Sequence, residues 1–155
     1  MVCGLAFNDR DKGLSRFPKY PATKKRRDVP KLAPAKQRCA LDLVAEHRRA
    51  GTGVVSLQVL QEYFVTVTRK LHVDARIARR KVELLAEFDV AAPDLADILA
   101  AIDLHRLHGF SFWDTLVVRA AKQAGCSVLF SEDLQQQREI DGVRIVNPFR
   151  VRDAI

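Results

Sequence analysis

At 155 residues, with 48% hydrophobic and 29% charged side chains, the chain has the composition of one globular domain with a single core. No apolar run approaches the roughly 18 residues that a spanning helix needs, and charges from Asp9 onward stand where a secretory signal would be apolar, so a cytoplasmic protein without a membrane partner is expected. Cys3, Cys39 and Cys126 are an odd number without C-x-x-C spacing, which argues against a disulfide framework or a zinc cluster and for buried reduced thiols.

The net charge of +7 invites a nucleic-acid reading, but its distribution weakens that reading. Residues 1 to 30 hold eight Lys or Arg against Asp9, Asp11 and Asp28, whereas the remainder has 18 bases against 16 acids. A basic arm can bind phosphates without sequence preference, yet a solvated tail has the same composition. Pro18, Pro21, Pro30 and Pro34 interrupt this opening, so residues 1–34 read as an irregular basic N-terminal segment, and a domain is expected over residues 35–150.

Regular periodicity begins at residue 35. Ala35 to Arg49 sets Cys39, Leu43 and Val44 at helical intervals, with Gly51 and Gly53 closing the helix before a short strand at Val54-Val55. Ser56 then opens a helix from Leu57 to Leu71, whose stripe of Leu57, Leu60, Phe64, Val67 and Leu71 predicts a largely buried element. Glu62 lies away from that stripe, and the pattern does not settle its exposure. Val73-Asp74 reads as the cap of a helix running to Glu87 with Ala78, Val82 and Leu85 inward, followed by a strand over Phe88 to Ala91. Pro93 is expected to start the next helix, with Leu95, Ile98, Leu99 and Ile102 as its apolar face and Gly109 as its stop. His105 and His108 in its last turn suit the negative end of the helix dipole better than a metal, since no other His or Cys has motif spacing with them.

Residues 110 to 133 are the centre of the pattern. Ser111 is a good N-cap residue, Asp114 stands three positions later in the first turn, and Gly125 ends the helix. Cys126 to Phe130 is short and β-rich and breaks off at Ser131, Glu132 and Asp133, a strand with acids at its carboxyl end. Asp141-Gly142 turns the chain into a last strand, Val143 to Val146, ended by Pro148. Strands alternating with helices predict an α/β fold, a mostly parallel sheet flanked by helices. Ligand sites in such sheets lie outside the carboxyl ends of the strands, so Asp114 and Asp133 can face one crevice.

The chain has no G-x-G-x-x-G, P-loop, G-x-S-x-G or H-E-x-x-H motif, which leaves carboxylates as the chemistry. Two or three of them converging would bind Mg²⁺ or Mn²⁺, and such an ion can activate water and stabilise charge developing on a phosphodiester. Taken singly, Asp114 is equally a helix-start carboxylate and Glu132 or Asp133 an ordinary strand-end acid.

Four stretches in order, Val54-Val55-Ser56-Leu57-Gln58-Val59-Leu60-Gln61-Glu62, Phe110-Ser111-Phe112-Trp113-Asp114, Leu129-Phe130-Ser131-Glu132-Asp133-Leu134 and Val143-Arg144-Ile145-Val146-Asn147-Pro148-Phe149, resemble the PIN-domain family, and VapC-type toxins most closely. The resemblance covers roughly residues 35 to 150. It implies a PIN-like fold and an Mg²⁺-dependent (or Mn²⁺-dependent) ribonuclease held inactive by a cognate antitoxin, with RNA as substrate and a homodimer as an admissible assembly. It also implies that Glu62, Asp114 and Asp133 are the catalytic, metal-binding acids, that Ser131 is a supporting hydroxyl, and that Glu132 is at most an auxiliary.

One departure stands out. The family opens with a buried strand carrying Asp-x-Asn, and residues 1–34 hold no such triplet; the nearest approach is Leu5-Ala6-Phe7-Asn8-Asp9, which makes Asp9 a weak candidate for the first acid. The Lys/Arg/Pro composition from Phe17 to Asp28 is unlike a central strand, so the opening strand reads as missing or garbled, as a shifted reading frame upstream of about residue 30 would make it. Two expectations follow: an active toxin-type ribonuclease, or a PIN-like fragment that keeps the fold and binds RNA or an antitoxin without cleaving.

Overall fold

The computed structural model describes residues 5–7 by their backbone, and residues 34–134 and 138–150. The expectations for Cys3, for Asp9 and for residues 10–33 lie outside these. In chain order the elements are β1 (Leu5–Phe7), α1 (Pro34–Ala50), β2 (Gly53–Ser56), α2 (Leu57–Arg69), α3 (Ala75–Leu85), β3 (Asp89–Ala91), α4 (Leu95–His108), α5 (Phe112–Gln123), β4 (Val128–Phe130), β5 (Glu139–Ile140) and β6 (Val143–Val146).

The helix ends follow local chemistry. Ser56 caps α2 by accepting the Val59 N–H, Asp74 caps α3 by accepting that of Arg76, and Ser111 caps α5 by accepting that of Asp114. Helix α4 stops at Gly109 in the left-handed conformation, φ 69°, where its N–H reaches the His105 carbonyl. Pro93 is not the first residue of α4; Asp94 is its cap, in a reciprocal capping box with Asp97.

The six strands form one sheet in the order β3-β2-β1-β4-β6-β5. β2 runs parallel to β3 and β4 parallel to β6, while β1 is antiparallel to both β2 and β4. Four of the six strands therefore point one way, as expected of the α/β sheet, while β1 and β5 point against them and make three of the five pairings antiparallel. The tripeptide Leu5–Phe7 occupies the central slot of the opening strand but in reverse, with Leu5 beside Val55 and Phe130 and Phe7 beside Gly53 and Val128. Strand β5 was not evident in the sequence: two residues pair with β6 across Asp141-Gly142, both at positive φ, as a two-residue hairpin requires.

Alternation along the strands sends side chains into two cores. Val54, Leu129 and Ile145 meet Val117, Val118, Ala120 and Ala121 of α5 on one face. Val55, Val128 and Phe130 meet Leu43 of α1, Leu60 of α2 and Phe88 on the other, with Val82 and Leu85 of α3 beside them. The result is three layers, helices on both faces of a sheet. Gly53 is less a helix stop than a packing requirement, because a Cβ there would enter the Phe88 ring. Cys126 is buried and its thiol is pushed up to about 12, first by burial and then by Asp89, so it stays a protonated, inert thiol. Cys39 is half-buried and donates to the Pro148 carbonyl.

Two apolar faces depart from expectation. In α2 only Gln58, Leu60 and Val67 are buried; Leu57 and Phe64 are exposed, and the helix ends at Arg69, before Leu71, which is exposed as well. In α4 three of the four residues of the predicted stripe, Leu95, Leu99 and Ile102, face outward, Leu95 at 70% exposure, and Ile98 is half-buried, while Asp97 and Ala101 are buried. Ala101 permits close approach of α4 to the core, and Asp97 is satisfied there by Arg119 of α5, Nη2 to Oδ1 3.1 Å. A polar pair thus takes the place that hydrophobic periodicity assigned to leucines.

Candidate active site

Because β2 and β4 flank β1 and run the same way, their carboxyl ends lie on one edge, two strand spacings or about 10 Å apart. At that edge β2 passes directly into α2, and β4 into the turn Ser131-Glu132-Asp133. Glu62 projects from the second turn of α2 and is half-buried. Gln58, one turn earlier and buried, donates its Nε2 to Glu62 Oε1 at 2.8 Å and also approaches the Trp113 carbonyl at 3.4 Å. That amide ties Glu62 to the first turn of α5, whose next residue is Asp114.

Asp114 is half-buried, and the Ser111 hydroxyl both donates to its Oδ2 at 2.7 Å and accepts its backbone N–H at 3.1 Å. The cap therefore orients the carboxylate as well as ending the helix. Ser131, 1% exposed, accepts the N–H groups of Asp133 (3.3 Å) and Leu134 (3.2 Å), which folds the strand-end turn. Asp133 itself is exposed. Glu132 forms an ion pair with Lys36 of α1, whose ammonium also stands 5.2 Å over the Phe149 ring. Buried Asn147 donates to the Glu132 carbonyl (3.4 Å) and accepts the Phe149 N–H (2.9 Å), so the segment after β6 braces the same turn.

The structure thus joins Glu62 to the Asp114 turn and sets Asp133 at the end of a neighbouring strand. Among the described residues no three His, Cys, Asp or Glu side chains are gathered to hold a metal ion. The donors fit a hard divalent cation in kind: they are oxygens, and Gln58 Oε1, beside Glu62, is a buried oxygen with no hydrogen-bond partner among the described residues. In number the described acids fall short of a complete set. Sequence reasoning missed Gln58 and Lys36. The i, i+4 spacing of Gln58 and Glu62 was a readable signal; nothing local pairs Lys36 with Glu132, 96 positions away.

A family model of the PIN domain matches residues 34–143, and the chain belongs to that family. PIN domains are generally nucleases, which supports a hydrolase role for the chain. Comparison with curated proteins gives no significant match. No helix among the described residues is long and apolar enough to cross a membrane.

Proposed function

We propose that this chain is a cytoplasmic ribonuclease, an endonuclease hydrolysing RNA phosphodiester bonds, and the toxin of a toxin–antitoxin pair. The observation that carries the reading is the Gln58 bridge, which holds Glu62 against the turn that presents Asp114. The four motifs shared with VapC-type toxins support the finer assignment, with Glu62, Asp114 and Asp133 as the acids that would hold Mg²⁺ or Mn²⁺. When bound, such an ion supplies an activated water and neutralises charge developing on the phosphate. The chain's own part is to orient: Gln58 aims Glu62, Ser111 aims Asp114, and Ser131 shapes the turn bearing Asp133. Exposed apolar side chains on α2 and α4 support a protein partner, an antitoxin or a second copy.

The reversed β1, and the absence among the described residues of three acids gathered together, favour a second reading, a PIN domain that binds RNA or its antitoxin but cleaves poorly. The deciding experiment is RNA cleavage by the purified chain with Mg²⁺, with Mn²⁺ and with excess EDTA, beside Glu62→Gln. Cleavage that needs metal and falls roughly 100-fold or more in Glu62→Gln is expected. Cleavage that persists in EDTA would sink the metal reading, and none under any metal would leave the impaired domain.

A further inference from the structure

Trp113 is the one tryptophan of the chain, and its side chain is unaccounted for by the fold. It is 60% exposed, whereas Thr115, Leu116, Val117 and Val118, which follow in the same helix, are all buried. A ring of this size contributes most to stability when it is covered, so its exposure in the first turn of α5 leaves a large π surface unused. It is also braced. Phe112 meets it edge to face, centroids 5.3 Å apart and planes at 63°. The Trp113 carbonyl lies at the Gln58 amide that holds Glu62, and the next residue is Asp114, so the ring is carried on the same short turn as the candidate acids. Two residues before Phe112, the half-buried Phe110 packs against the core and has the Arg138 guanidinium 4.9 Å over its ring. Rings interleaved with a cation characterise surfaces that bind single-stranded nucleic acid through base stacking and backbone charge.

We infer that Trp113 is a stacking platform for an unpaired nucleobase of the RNA substrate, placing that nucleotide at the Glu62 and Asp114 lip. This deepens the ribonuclease reading and rests on it. A neutral base is the part of RNA that suits the indole face: it lies beside the Glu62 and Asp114 carboxylates without the repulsion that a phosphate meets there when no cation is bound. Every base has such a face, so the contact selects unpaired RNA over duplex RNA rather than one sequence over another.

The single tryptophan makes the test direct. Its fluorescence is followed as a short, non-self-complementary oligoribonucleotide is added to the whole chain in EDTA, which prevents metal-dependent turnover. Saturable quenching is expected with this RNA, and little with the same strand in duplex form or with an abasic strand. By anisotropy of a labelled strand, Trp113→Ala should bind roughly 5- to 150-fold more weakly, while Trp113→Phe should keep most of the affinity. Melting and size-exclusion elution of both variants are compared with wild type. Absence of quenching, or unchanged RNA affinity in Trp113→Ala, overturns the inference; so does a changed elution with RNA affinity intact, which would make the ring part of a protein interface. The two readings fail separately. Cleavage with an unchanged KM in Trp113→Ala refutes stacking and leaves the nuclease, whereas quenching and lost affinity in a chain that never cleaves refute the nuclease and leave the stacking.

Discussion

Among the described residues, two pairs of buried or half-buried carboxylates are treated in opposite ways. Asp97 and Asp141 are given cations: Arg119 reaches Asp97 at 3.1 Å and Asp141 at 2.6 Å, and Lys122 pairs with Asp141 as well. Burial works against the charge on Asp141, but the hydrogen bonds from Lys122 and Arg119 outweigh it and hold the carboxyl below the usual range. Glu62 and Asp114 are given neutral donors instead, an amide and a hydroxyl, and among the described residues neither makes an ion pair. A carboxylate already matched to a built-in cation is a structural clasp, here tying α4 and α5 to the β5–β6 turn. One held only by neutral hydrogen bonds is aimed while its charge stays available to something that arrives from solution.

The sharpest way to break that comparison is to remove the built-in cation. Arg119→Ala strands Asp97, 4% exposed, as an uncompensated charge, and loss of one partner of a buried pair costs about 3–5 kcal/mol. For a domain of this size that lowers Tm by roughly 10 °C. Glu62→Gln in the same calorimetric or denaturant experiment should move Tm little, because its amide can still accept from Gln58. If Glu62→Gln destabilises as much as Arg119→Ala, the lip acids are structural too and the contrast is false.

The same contrast explains what could be read from the sequence. Ser56, Asp74, Gly109 and Ser111 mark helix ends because a cap is a local event, satisfied within three or four residues. The inward face of α4 was misread because it depends on Arg119, 22 positions beyond Asp97, and an acid looks solvent-facing until its partner is known. The candidate site divides in the same way. Residue type and spacing show a carboxylate at the start of α5 and acids at the end of β4, but Glu62 became a candidate only through family resemblance. The Gln58 link to Trp113 spans 55 positions and leaves no periodic trace. The reversal of β1 was equally hidden, since an apolar tripeptide pairs in either direction.

Acid titration sharpens the comparison from another side. His47 is half-buried, 2.9 Å from the Thr52 hydroxyl, and burial lowers its pKa from 6.5 to about 4. The folded state then binds fewer protons than the unfolded state between these values, so stability is complete above pH 6.5 and declines as pH falls toward 4. For a ring partly screened by water the loss is on the order of 1–2 kcal/mol. Asp141, lowered from 3.8, keeps its contribution through that window and loses it only further down, as pH falls through its folded-state pKa. Denaturant melts of wild type and His47→Gln at pH 7 and pH 5 separate the two: the variant should show a flatter response. An unchanged slope would mean that a group other than His47 takes up the proton.

The smallest expected effect asks whether Asp114 is a cap or a ligand, since its position serves both. As a carboxylate in the first turn of α5 it favours the helix dipole by about 0.3–1 kcal/mol. Asp114→Asn keeps an oxygen to accept from Ser111, so without metal only that charge term is lost and Tm should fall slightly. Mg²⁺ raises stability only by binding the native state, by an amount that grows with the logarithm of its concentration over Kd. If Asp114 is a ligand, wild type should melt higher with Mg²⁺ and the variant should gain much less, so the gap between them widens as metal is added. If it is a cap alone, the gap is the same with and without metal. A wild type whose melting also ignores Mg²⁺ would make Asp114 a cap alone, an acid whose role ends with the helix it begins.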